Sequence, residues 1–296
     1  MTQFNFKAIG TSWRIDIHDA LDDVREKELE SRIMERIEAF DKAYSRFRPD
    51  SLVTEMSMKA GTYELPADAE DMMSLYHDLY VRTDGYVTPL VGGLISDAGY
   101  DAKYSLVEKG ELKAPPAWDE AIEYDHPMLK VKKPVLLDFG AAGKGYLVDL
   151  VGQVLESNGI SGYGIDAGGD ILYHGKDPIK IGLEDPADKG RVIGVCGLKG
   201  GSICGSAGNR RAWGNFTHIM DPKKLASPTD IAAVWVVADR ALVADGLTTC
   251  LFFVTPDALK EAYAFEYVVV HKDRSVDVSS GFPGELFTAP ASAGVS

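Results

Sequence analysis

Leu137-Asp138-Phe139-Gly140-Ala141-Ala142-Gly143-Lys144-Gly145-Tyr146-Leu147-Val148-Asp149 runs from an apolar segment through a carboxylate and small residues into an amphipathic pattern. The spacing predicts a strand, a tight turn and the start of a helix. Small residues there allow close approach to the backbone. The free N–H groups of a first helical turn favour an anion, and Lys144 adds a positive charge. An equal reading is a structural turn whose glycines permit tight strand-to-helix packing and whose lysine is solvated. Gly140, Gly143 and Gly145 do not make G-x-G-x-x-G, and Lys144 is followed by Gly145 where a P-loop needs Ser or Thr. Both standard nucleotide fingerprints are absent, so the chemistry must be sought elsewhere in the chain.

Working outward, the apolar positions Leu147, Leu150, Val151, Val154 and Leu155 make one helical face that stops at Asn158-Gly159. Toward the N-terminus, Trp13, Ile15 and Ile17 alternate as in a strand. Leu29, Ile33, Ile37, Phe40 and Tyr44 then recur at helical spacing and predict a long helix broken near Pro49. A second helix is expected over roughly residues 68–82, followed by an Asp84-Gly85 turn. Residues 86–101 are rich in glycine and apolar residues, and residues 110–134 read as a variable polar insert. The C-terminal half reads as strands over residues 163–171, 179–183, 192–198 and 232–238, with a helix over 241–253. Helices and strands mix without strict alternation. The expected fold class is therefore α+β, with a mixed sheet flanked by helices, rather than a doubly wound parallel sheet.

The chain has 296 residues, 45% of them apolar, enough for a sizeable core. A net charge of -14 argues against nucleic acid or an anionic membrane surface as the main partner. It also makes a phosphate ligand difficult without a cation between the two sets of negative charge, so hard oxygen ligands are expected. The three cysteines, Cys196, Cys204 and Cys250, are scattered without C-x-x-C spacing, and no H-x-x-x-H pair exists. Neither a disulfide framework nor a zinc site is indicated. Met1 to Lys7 lack a basic segment followed by an apolar one, and no later stretch is long enough to cross a bilayer. As the sequence stands, a cytoplasmic protein is expected, or an extracytoplasmic one if an export signal was trimmed.

Two further segments carry possible chemistry. Gly205-Ser206-Ala207-Gly208-Asn209-Arg210-Arg211 is followed by Thr217-His218-Ile219-Met220-Asp221-Pro222. That context puts His218 on a short strand entering a turn, a place for a near-neutral imidazole to take a proton. The plain alternative is a hydrogen-bonded structural histidine. In Ala244-Asp245-Gly246-Leu247-Thr248-Thr249-Cys250, Asp245 and Thr249 are four apart and share a helix face, so both oxygens can reach one Mg²⁺. Against this stands a simple N-terminal aspartate, with Thr249 bonding back to a carbonyl.

Taken together and in this order, these segments resemble the ApbE family of flavin transferases, which move FMN from FAD onto a protein hydroxyl. The resemblance runs from Ile9-Gly10-Thr11-Ser12-Trp13 through Tyr44 to Ser51, Asp84-Gly85 to Gly93, and the Asp138 to Gly145 turn. It continues through Ala167-Gly168-Gly169-Asp170, Ser206 with Arg210, the His218 to Pro222 block, and Ala244-Asp245 to Thr249. It implies that the backbone oxygen of Ala141, with Asp245 and Thr249, holds Mg²⁺. It further implies that Ile9, Phe47, Tyr86, Val87, Thr88, Asp138, Lys144 and Met220 belong to the FAD site, and that His218 is the base. Ile9 replaces the usual Met, Phe47 stands where Tyr is common, and Met56 stands where an Asn often ends its motif. Lys223-Lys224-Leu225 replaces the usual basic-Thr-Gly.

The resemblance implies one two-lobed transferase unit over residues 1–288 with a loose tail over 289–296. Its partners would be FAD and an acceptor flavoprotein bearing a Thr/Ser flavinylation motif, without nucleic acid or stable membrane insertion. The alternatives are a Mg²⁺-dependent FAD pyrophosphatase, a non-catalytic FAD-binding protein, and an unrelated acidic scaffold.

Overall fold

Rows of apolar side chains running across neighbouring strands build the central sheet. Ile15 lies opposite Ile165, which lies opposite Leu172, and on the other face Ile171 lies opposite Ile203, which lies opposite Val237. Because side chains alternate between faces, each strand serves two cores at once. The computed structural model describes residues 2–287; the tail expected over 289–296 lies outside the described residues. The sheet has eight strands, in the order Thr2–Ala8, Thr11–Ile17, Tyr163–Asp166, Asp170–His174, Gly201–Ala207, Ile231–Ala238, Glu266–His271 and Val276–Val278. The α+β class is as expected. Within it, each pairing of this sheet is antiparallel, where a mixed sheet was expected.

One face is covered by the helices Asp23–Tyr44, Gly143–Ser157 and Ala241–Cys250, the other by a small sheet of Ile179–Asp185, Asp188–Leu198 and Gly284–Leu286. The first helix buries Leu29, Ile33, Ile37, Phe40 and Tyr44 as its periodicity predicts, and it starts on Asp22, whose side chain accepts from the N–H groups of Val24 and Arg25. Complete burial of an isoleucine such as Ile33 contributes roughly 1.5–3 kcal/mol.

The 143–157 helix is buried nearly all round, and its glycines explain how. A Cβ at Gly145 would lie 2.1 Å from the Ala241 carbonyl oxygen, and one at Gly152 would lie 2.8 Å from Leu172 Cδ2. Only glycine lets the 241–250 helix and the sheet come this close. The helix ends as its sequence predicts, with Gly159 at φ +77° and the Ile160 N–H returning to the Leu155 carbonyl at 3.1 Å.

Four sequence expectations need correction. Residues 135–139 form no strand and join no ladder; the Asp138 N–H instead donates to the Pro89 carbonyl at 2.7 Å. Residues 163–171 are two strands folded back on themselves, with positive φ at Gly168 and Gly169 making the turn. The helix expected over 241–253 ends at Cys250. The expected polar insert 110–134 contributes to the core: Trp118, Ile122, Leu129 and Val131 are buried, and its hairpin pairs with Gly61–Glu64. Its surface lysines and acids masked an alternating apolar set.

Candidate active site

The geometry of the site starts at the junction of the 143–157 and 241–250 helices, which hold each other by their first turns. Asp149 accepts the Ala241 and Leu242 N–H groups at 2.8 and 3.0 Å. Asp245 returns the arrangement, accepting the Gly145 N–H at 2.9 Å. Each carboxylate satisfies an orphan donor of the other helix and sits at its positive end. The Ala142 N–H, meanwhile, takes the Tyr76 hydroxyl at 3.1 Å, and the Gly143 N–H takes the Phe139 carbonyl at 2.7 Å. The anion site expected from free N–H groups at this turn is therefore largely filled by the protein's own oxygens.

Above the junction opens a cavity of about 400 Å³. Ile9, Phe47, Tyr86, Val87, Thr88, Asp138, Ala141, Lys144, His218, Met220 and Thr249 all line it. Asp245 does not; it is buried one helical turn before Thr249. The Thr249 hydroxyl lies 3.5 Å from the Ala141 carbonyl oxygen, contrary to the alternative in which it bonds back along its own helix. Thr248 takes that role, donating to the Asp245 carbonyl at 2.7 Å and meeting the Ser206 hydroxyl at 2.8 Å. Burial first, then the negative charge of Asp170, push the Asp245 carboxyl well above the usual carboxylate range.

Lys144 is ion-paired to the fully buried Asp170. Burial opposes its charge, but the carboxylates of Asp170 and Asp245 outweigh that and hold its pKa above the ordinary lysine value. The lysine is thus a paired cation on the cavity lining, with about a quarter of its side chain open.

Asp138 is likewise engaged from within. It pairs with the buried Arg46 and accepts the Gly140 N–H at 2.7 Å. Arg46 also donates to the Tyr100 carbonyl at 2.6 Å and lies 4.2 Å above the Phe47 ring. Arg46 escaped the reading of the sequence because its partners are 54 and 92 residues away. Arg211 lines the cavity, whereas Arg210, the residue in the resembling motif, turns to Glu184 at 3.4 Å. Among the described residues Arg211 has no carboxylate partner.

His218 is half-buried, with an inaccessible Nδ1 that lacks a partner. Burial, then the nearby Arg211 charge, lower its pKa to about 4, so the ring is neutral at physiological pH. Tyr44 Oη, Arg46 Nη2 and Tyr100 Oη are also buried without partners, and their residues line the same cavity. Unsatisfied buried polar atoms are costly, and four of the six found among the described residues belong to side chains that line this cavity.

The rim carries strain and stacking. Ile9 has φ 44°, an outlier for a β-branched residue, and leads into Gly10 at φ +76°. Leu225 adopts φ 56°, a left-handed position at the place where the resembling sequences carry glycine. Tyr86 stacks on Phe253 at 5.3 Å, and Lys223 Nζ lies 4.2 Å from the Tyr86 ring centre while bonding Asp84 at 2.7 Å.

The family model described as "ApbE family" matches residues 9–269. The chain belongs to the ApbE family. Among similar family members, the FAD:protein FMN transferase of Escherichia coli (strain K12) is 24% identical over 294 residues, covering 92% of this chain and 83% of that protein. The FAD:protein FMN transferase of Rhodobacter capsulatus is 28% identical over 213 residues, covering 66% and 40%. Solved structures of the family share the fold. The ApbE protein from Thermotoga maritima superposes with a TM-score of 0.81 at 22% identity, covering 94% of this chain and 97% of that one. The flavin transferase ApbE from Vibrio cholerae does so with a TM-score of 0.76 at 20% identity, covering 95% and 97%.

Proposed function

We propose that this chain transfers FMN from FAD to a Thr or Ser hydroxyl of an acceptor protein, forming a phosphoester and releasing AMP. Relatives named FAD:protein FMN transferase support the reaction class. The observation that carries the reading to this chain is the half-buried His218, whose inaccessible Nδ1 lacks a partner, in the same cavity as Ala141 and Thr249. A neutral imidazole is the form that takes the hydroxyl proton as the oxygen attacks the FMN phosphorus and the bond to AMP breaks.

The donor set suits Mg²⁺: a carbonyl oxygen and a hydroxyl 3.5 Å apart, with a buried carboxylate one turn away, are hard oxygen ligands. Ala141, Asp245 and Thr249 would hold the ion, which when bound neutralises pyrophosphate charge and makes phosphorus more electrophilic. Arg211, free of a carboxylate partner among the described residues, supplies further positive charge in a chain of net charge -14. Arg46 orients Asp138, and the Lys144–Asp170 pair keeps the cavity floor rigid. Positioning and electrostatics of this kind dominate phosphoryl transfer.

Among the described residues no helix is long and apolar enough to cross a membrane. The test is incubation with FAD and Mg²⁺, with and without an acceptor carrying a Thr/Ser flavinylation motif, followed by intact mass and AMP measurement. One FMN gained on the acceptor per AMP released is the expected result. AMP without labelling would replace the transferase by a pyrophosphatase, and intact bound FAD would replace it by a binding protein.

A further inference from the structure

Beside the main cavity lies a second one of about 200 Å³, lined by Gly10, Tyr100, Tyr104, Leu106, Arg211 and Trp213 among others. Tyr104 and Arg211 border both cavities. No role attaches to Tyr104 from the sequence motifs, yet its setting is built. Its ring lies parallel to Phe47, with centroids 5.0 Å apart and planes 16° apart, and Phe47 is in turn covered by the Arg46 guanidinium. Tyr104 is nonetheless 51% exposed; among the described residues Phe287 is the other aromatic side chain left so open. The Tyr104 ring thus packs flat on Phe47 and meets the Tyr100 ring at 5.3 Å with planes 80° apart, while half of the residue stays open.

The loop that carries it is held in place. The buried Asp101 accepts the Lys103 and Ser105 N–H groups at 2.9 and 3.0 Å and the Ser105 hydroxyl at 2.9 Å, and it pairs with Lys109. Leu106 N–H returns to the Gly99 carbonyl at 2.8 Å. Tyr104 itself sits at φ 51° and Leu106 at φ 54°, conformations that non-glycine residues adopt at a cost. A strained loop, pinned by one carboxylate, that displays an aromatic ring at the mouth of a cavity with unpartnered Arg46 Nη2 and Tyr100 Oη is a preorganised platform.

We propose that Tyr104, its ring already packed on Phe47, is a substrate-affinity residue that stacks on a planar heteroaromatic ring of the bound dinucleotide. The inference rests on the FAD reading above and adds to it a residue and a contact. Both ends of FAD are flat ring systems, so the test has to separate them.

Equilibrium binding of FAD to the full chain, followed by flavin fluorescence, is measured for the unaltered protein and for Tyr104→Phe, Tyr104→Leu and Tyr104→Ala. Thermal melts confirm folding, which an exposed loop residue leaves intact. Phe should bind within about 2-fold of Tyr, while Leu and Ala should weaken FAD by roughly 10-fold, the size of one ring-stacking contact. FMN and AMP are then titrated separately. Weakening confined to FMN puts the isoalloxazine on Tyr104, and weakening confined to AMP puts the adenine there. Unchanged FAD affinity in Tyr104→Ala, or lost FAD affinity with both fragments unaffected, overturns the stacking role. Failure of the unaltered protein to bind FAD overturns the transferase reading itself, a result distinguishable from either.

Discussion

The floor of the cavity and its rim are built on opposite terms. On the floor, Asp149 and Asp245 accept N–H groups across the helix junction, and Lys144 is paired to Asp170. Asp170 Oδ1 apart, the side-chain groups named there have partners before any ligand arrives. Around the rim, His218 Nδ1, Tyr100 Oη and Arg46 Nη2 lack partners, and Ile9 and Tyr104 hold positive φ. The floor is rigid because its hydrogen bonds are internal; the rim keeps capacity unspent, which a ligand can use. Substitutions on the floor should therefore damage folding and chemistry together, and those on the rim should touch binding or chemistry alone.

The harshest way to break that contrast is Gly145→Ala, whose methyl would meet the Ala241 carbonyl oxygen at 2.1 Å and Asp245 Cβ at 2.6 Å. A loss of roughly 3 kcal/mol or more in denaturant unfolding is expected, with FAD binding lost in parallel. Near-normal stability would show that the helix junction is looser than drawn. Next is Asp245→Ala, which removes the carboxylate of the Mg²⁺ donor set and should lower Mg²⁺-dependent transfer by roughly 1,000-fold. Wild-type turnover in that variant would refute the metal assignment.

His218→Ala sharpens the comparison, because a rim residue should leave folding intact. It is expected to bind FAD yet transfer roughly 100- to 10,000-fold more slowly. With its pKa lowered to about 4, His218 stays neutral down to mildly acidic pH, so kcat/KM should show no acid limb near 6.5. The linked stability has a definite sign. A histidine of depressed folded pKa contributes fully above its unfolded value of 6.5, and that contribution is lost as pH falls through about 4. Denaturant midpoints at pH 7.5 and 5 should therefore fall further for the unaltered chain than for His218→Ala. The smallest effect is expected at the outer rim, where Lys223→Ala removes a half-exposed cation from the Tyr86 ring. FAD affinity should drop less than about 3-fold, and a larger loss in a binding titration would place Lys223 on the ligand itself.

Local order along the chain made much of this fold legible. The 23–44 helix follows its apolar spacing, the 143–157 helix lies where its spacing puts it but is buried beyond that one face, the Asn158-Gly159 stop matches, and His218, Lys144 and Thr249 come together in one cavity. The sequence offers residues 205–211 as a motif but no strand at Gly201–Ala207, because its glycine, serine and cysteine residues carry little strand propensity; its place comes from pairing with two neighbours. Arg210 and Arg211 are indistinguishable in sequence, and the turn between strands decides which one enters the cavity.

What the sequence by itself determined is whatever depends on neighbours in the chain: helical faces, the glycine stop, and the types of residue offered to the site. Tertiary structure alone decided the antiparallel register, the hold of Arg46 on Asp138, the use of Asp245 to cap a helix 100 residues away, and the ring of Tyr104 laid on Phe47. Periodicity is a local property and can be read along the chain. A hydrogen bond or a stack depends on a separation of a few ångström, which only the packing of distant segments sets.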